Sequence, residues 1–248
     1  MPPLHIGVLI VPPIQLLDLS PIDLFAMATQ DYFRACNFPA PLIAIALPTA
    51  LFKISYIALS GPNTFAPSTP SLDLKITAGL NDESVQPGKL DILLIPGPPP
   101  GLRPEDEVLE FVRGHVGAGV DLLTVCTGVF VAGFAGVLEG KRATGTRGVM
   151  DVLGKTFPGV KWVDRRYTND GRIWTAGGIT NGMDMVAAYM RQSERFEGQL
   201  VDTVLAIADV QDRGQEYKAG KVADSAWWVW NILRAWVGGM GRGKGKAA

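Results

Sequence analysis

The chain has 248 residues, 47% of them hydrophobic and 19% charged, and a formal net charge of −1. That length allows one large domain or two small ones and is enough to bury a substantial core. Near-neutral charge supplies no global pull toward nucleic acid or anionic lipid, and no uninterrupted apolar stretch is long enough to span a bilayer. Neither nucleic acid nor membrane is therefore expected as a partner.

Residues 4–11, LHIGVLIV, predict a first buried strand. They do not read as a signal peptide, because no basic region precedes them, Pro12 and Pro13 interrupt the apolar run, and Asp18 follows closely. Ser20 and Pro21 suit the cap and first turn of a helix over 20–30. PLIAIALP (41–48) predicts a second strand and KISYIAL (53–59) a third, while the turn formers of 60–72 predict a loop. LDILLIPG (90–97) reads as a strongly apolar strand that ends on Gly97. The stretch 104–119 opens on Pro and acids and closes on glycines, as a helix does. VDLLTV (120–125) is the next strand, followed by a turn at Cys126 and a helix to about Leu138. Residues 161–178 read as two strands around Asn169-Asp170-Gly171, and two helices follow in 180–192 and 197–211. This alternation predicts an α/β fold whose mainly parallel sheet is covered on both faces. No linker interrupts it, so residues 1–237 are read as one domain and 238–248 as a flexible Gly/Lys-rich tail. Four of the six tryptophans fall in WWVWNILRAW (227–236), read as a docked amphipathic helix in preference to a dimer or membrane contact.

The only cysteines are Cys36 and Cys126, which excludes a disulfide framework and fits a reducing, cytoplasmic setting. Neither has metal-ligand spacing, and His5 and His115 are the only histidines, so no metal is expected; a cysteine nucleophile with an aspartate to supply the proton would need no organic cofactor. Cys36 is read as a structural core residue. Cys126 is different, because it stands where a strand hands over to a helix. In open α/β sheets ligands bind at the carboxyl ends of strands. Asp18, Gly97, Cys126 and the pair Gly177-Gly178 each follow an apolar strand, so they are expected at one edge. A thiol on such a turn resembles a nucleophile elbow. The following amides, from Thr127 on, face developing negative charge, and the helix dipole is expected to favour thiolate.

Three blocks, DILLIPG, TVCTGVFVAGFAGVLEGKRAT and DGRIWTAGGITNGMDMVAAYM, together resemble the ThiJ/PfpI superfamily, the cysteine-elbow branch of the class I glutamine amidotransferase-like fold. The resemblance runs from about residue 4 to about 210 and implies a flavodoxin-like three-layer sandwich and a homodimer. Within that superfamily, QLLDLSPIDLF (15–25) is similar to the N-terminal segment of isonitrile hydratases, which pair a Cys-Thr elbow with an aspartate. Carried over residue by residue, this implies Cys126, Thr127 and Asp18 as the catalytic group, with Gly97, Gly178 and Ile179 bounding a small-molecule substrate. Asp23 competes with Asp18, although its place inside a helix favours a solvated role. No histidine follows His115, so a Cys-His-Glu triad is excluded. Thr146 stands where relatives carry a histidine, and PGPPPG (96–101) replaces a shorter glycine loop. AraC-type regulators share the elbow, but no helix-turn-helix extension is read here. The implied activity is hydration of an isonitrile to an N-substituted formamide. The alternatives are another thiol enzyme of the superfamily, glyoxalase-like or a specialised secondary-metabolism hydrolase or hydratase, and a non-catalytic cysteine redox sensor.

Overall fold

The computed structural model describes residues 3–218 and 220–242. By proximity the chain forms two compact units, Met1–Gln215 and Glu216–Ala248. In the first unit the chain runs β1 (Leu4–Leu9), α1 (Ser20–Met27), α2 (Gln30–Ala35), α3 (Ala40–Ile45), β2 (Phe52–Ala58), β3 (Phe65–Pro67), β4 (Asp73–Lys75), β5 (Ala78–Gly79) and β6 (Ile92–Ile95). It continues with α4 (Asp106–Gly117), β7 (Asp121–Val125), α5 (Gly128–Phe134), β8 (Arg142–Ala143), α6 (Met150–Thr156) and β9 (Lys161–Trp162). β10 (Tyr167–Asp170), β11 (Ile173–Ala176), α7 (Ile179–Gln192) and α8 (Gly198–Ile207) complete it. The second unit holds α9 (Lys221–Arg242). The tail expected at 238–248 lies outside the described residues beyond Arg242.

Seven strands form one sheet in the order β10-β11-β7-β6-β1-β2-β5, and every pairing but β10 with β11 is parallel. Alternation along each strand divides the apolar residues between two cores. Ile92, Leu94, Leu123 and Val125 join the core under α1 and α7, while Leu93, Ile95 and Leu122 join the one under α4 and α5. This is the three-layer α/β arrangement that the sequence pattern predicts. β7, β6 and β1 are adjacent and parallel, so their carboxyl ends open at one edge.

Three local expectations are corrected. Residues 41–48 are not a strand, because 40–45 form α3, with Pro39 as its N-cap and a further proline in its first turn. A short apolar run suits either state, and the strand position beside β1 is taken by 52–58. The helix expected over 20–30 breaks in two, since Thr29 is extended and caps α2 by accepting from the Tyr32 N–H. Within the loop expected at 60–72, β3 pairs antiparallel with β4.

Candidate active site

Cys126 follows β7 directly and is the bend itself. It is held in the left-handed region at φ 57°, which costs a non-glycine residue about 1–3 kcal/mol and persists only where the surroundings impose it. Its backbone N–H donates to the Ala176 carbonyl at 3.1 Å, tying the bend to the neighbouring strand. α5 starts two residues later because Gly128 allows contact with β6. A Cβ at Gly128 would stand 2.2 Å from the Ile95 carbonyl oxygen.

Asp18 reaches the same point from β1. It lies in a 3-10 turn, Leu16–Leu19, and is fully buried. Its Oδ2 accepts the Gly97 N–H at 2.9 Å. Gly97 lies two residues past β6, and the crowding there requires glycine, because a Cβ would lie 2.5 Å from both Asp18 Oδ2 and Thr127 Oγ1. Thr127 is buried and its hydroxyl donates to the Pro98 carbonyl at 2.5 Å. Asp18, Gly97, Cys126 and Thr127 are therefore assembled at the ends of three adjacent strands. Asp23 is exposed on α1. Gly178 and Ile179, expected in the same site, cap and begin α7; they, like Asp18, are not among the residues lining the cavity beside Cys126.

That cavity has a volume of about 240 Å³. Besides Gly97, Cys126 and Thr127 it is lined by Pro13, Ile14, Gln15, Thr69 and the prolines 98–100. No charged side chain lines it, so the arrangement suits a small neutral molecule with an apolar group. The polyproline loop forms one wall. A larger hollow of about 390 Å³, near Leu59 and Arg103, is lined by neither cysteine.

The electrostatics centre on two groups. Burial raises the Asp18 carboxyl to about 6, against the lowering effect of the Gly97 amide and the Cys126 thiol. Its second oxygen, Oδ1, is buried with no hydrogen-bond partner. Burial, followed by the charge of Asp18, also pushes the Cys126 thiol up, while Thr146 and Thr127 pull it down. This corrects the expectation of a thiol lowered by the helix dipole, because desolvation and a neighbouring carboxylate outweigh the amides of a one-turn approach. The Cys126 Sγ lies 3.4 Å from Thr146 Oγ1. That contact was not read from sequence, and its only signal was a threonine standing in place of a histidine. Gln15 and Thr69 were missed too, since nothing in a loop's local pattern marks it as a pocket wall.

Cys36 is exposed at the end of α2, not in the core. Both histidines are bonded elsewhere. His5 meets Ser55 and the Lys89 carbonyl, while buried His115 meets the carbonyls of Phe111 and Val85. Among the described residues no cluster of His, Cys, Asp and Glu could hold a metal ion.

Comparison with known proteins gives the following likenesses. Residues 25–192 match the model of the DJ-1/PfpI family. An isonitrile hydratase of Pseudomonas putida is 33% identical over 185 residues, 73% of this chain and 68% of that protein. The deglycase PfpI of Pyrococcus furiosus is 31% identical over 98 residues, 39% of this chain and 58% of that one. A solved ThiJ/PfpI family protein of Pseudomonas syringae superposes with a TM-score of 0.63 at 19% identity, covering 89% of this chain and 80% of that one.

Proposed function

The chain belongs to the DJ-1/PfpI family, and from that premise we propose that it is a cysteine-dependent hydratase that adds water to an isonitrile. The observation that carries this reading is the pair formed by a half-buried thiol and a buried carboxylate with one unpartnered oxygen, beside a cavity without lining charges. An isonitrile carbon must gain both a nucleophile and a proton, and this pair supplies both. Sγ of Cys126 bonds to the terminal carbon of R–N≡C while the thiol proton passes through Asp18 to the same carbon. The product is a thioimidate, R–N=CH–S–Cys126. Water then adds to that carbon. Asp18 takes a proton from the water and delivers it to nitrogen, the C–S bond breaks, the hydroxyl proton returns to sulfur, and R–NH–CHO leaves.

Each neighbour has a part. The Gly97 N–H holds Oδ2 and leaves Oδ1 as the oxygen that carries the proton. A carboxyl at about 6 exchanges protons readily near neutral pH. The Thr127 N–H and the Thr146 hydroxyl steady charge on sulfur. The homodimer implied by the resemblance and the reducing cytoplasm that the cysteine usage suggests are kept as part of the proposal.

The competing reading is glyoxalase- or deglycase-type addition of the thiol to a dicarbonyl, which the shorter match to PfpI favours. It needs a base to move a proton between carbons, and both histidines are bonded elsewhere. The test is incubation of purified protein with an alkyl isonitrile and, separately, with methylglyoxal. The hydratase reading expects N-alkylformamide, and none with Cys126→Ala. Consumption of methylglyoxal without formamide would transfer the site to the dicarbonyl reading, and turnover of neither would leave the redox sensor.

A further inference from the structure

α9 plays no part in this chemistry, and its charge opposes that of the rest of the chain. From position 221 on there are five basic residues, Lys221, Arg234, Arg242, Lys244 and Lys246, against Asp224 alone, a net of +4. The first 220 residues therefore carry −5 of the chain's total of −1. The expectation that no membrane partner exists rested on the lack of a spanning stretch and on that total, which averages two opposite regions.

Successive residues of a helix are set about 100° apart. On α9 this places Trp228, Val229, Trp230, Ile232, Leu233 and Trp236 within one broad arc and Trp227, Asn231 and Arg234 outside it. The six apolar side chains are between 50% and 65% exposed. Residues 227–236 thus present a continuous apolar arc about three turns long, yet no helix among the described residues is long and apolar enough to cross a membrane. Tryptophan is the side chain that favours the headgroup level, having an apolar body and a polar N–H. An apolar arc, Arg234 outside it, tryptophans at the arc's edges and an excess of basic residues along the segment are the features of a helix that lies in the membrane plane.

We propose that α9 binds the surface of an anionic bilayer, with the Trp228-Ile232-Trp236 face in the headgroup region and the basic residues against the lipid charge. Charge complementarity decides between this partner and a second copy of α9, because paired helices would bring two +4 segments together.

The experiment mixes the full chain with phosphatidylcholine vesicles, with and without phosphatidylserine, and reads co-flotation and tryptophan emission. The expected result is binding to the phosphatidylserine vesicles with a blue shift, weakened by high salt. Ile232→Gln with Trp236→Gln should abolish it. Arg234→Glu, which leaves the apolar face whole, should weaken it about twentyfold, since each basic residue near the surface is worth about fivefold. Unchanged alkylation of Cys126 in these variants would establish that the first unit is folded. Equal binding to both vesicles overturns the charge argument. Absence of binding, with or without a dimer that the double variant disrupts, overturns the proposal.

Discussion

Two buried aspartates, Asp18 and Asp184, differ less in burial than in company. Asp184, on α7, is 5% exposed and is gripped by two arginines. Arg166 meets its Oδ2, and Arg213 donates to Oδ1 at 3.1 Å and to Oδ2 at 2.7 Å. Arg166 is itself buried and also donates to Asn181 at 3.1 Å. Asp18, fully buried, has the Gly97 N–H on one oxygen, the Cys126 thiol beside it, no hydrogen-bond partner on Oδ1 and no guanidinium. A buried carboxylate whose charge is matched serves the fold, whereas one left short of partners is poised to take a proton. On the proposed function, this difference leaves Asp184 to structure and Asp18 to chemistry.

The largest effect that could break this contrast is on stability. Asp184→Ala strands the Arg166 guanidinium in the interior, and losing one partner of a buried pair costs about 3–5 kcal/mol. Urea denaturation should show that loss, and a change below ~1 kcal/mol would mean that the pair matters little.

Asp18→Asn should have the opposite sign. The folded protein raises this carboxyl from 3.8 to about 6, so it binds the proton more tightly than the unfolded chain does. Stability from this group is then fully present below pH 3.8 and is lost as pH rises through 6. Asparagine keeps an acceptor for the Gly97 N–H and removes the cost of ionisation. The variant should gain about 1–3 kcal/mol at pH 7, a gain that vanishes near pH 4. Paired melts at the two pH values measure it, and a gain that is equal at both would point to packing instead of charge.

The smallest effect is on the thiol. Iodoacetamide near neutral pH should label exposed Cys36 before Cys126, and Asp18→Asn should narrow the gap by lifting a repulsion from the Cys126 thiolate. Peptide mass spectrometry follows both sites. Faster labelling of wild-type Cys126 would restore the dipole as the dominant influence.

Much of this was legible before the structure. Apolar runs bounded by turn formers located β1, β6, β7 and β11, and the rule that ligands sit at strand ends grouped Asp18, Gly97 and Cys126, along with Gly177-Gly178, while Thr127 followed from the elbow and the resemblance. The run at 41–48 was misread because six or eight apolar residues carry no decisive period, and only Pro39 and Pro41 hinted at a helix start. Thr146, Gln15 and Thr69 reach the site from loops whose paths depend on tertiary contacts. The direction of the Cys126 shift could not be read from the elbow alone, because it depends on burial and on a charge more than a hundred residues away in sequence.

The most direct test compares the two aspartates in one assay, as isonitrile turnover per folded molecule by Asp18→Asn and Asp184→Asn. Asp18→Asn should lose about two orders of magnitude or more, the scale of acid-base assistance, although it is the more stable variant. Asp184→Asn should turn over at nearly the wild-type rate for the fraction that remains folded. Full activity in Asp18→Asn, or a loss confined to folded Asp184→Asn, would contradict the assignment.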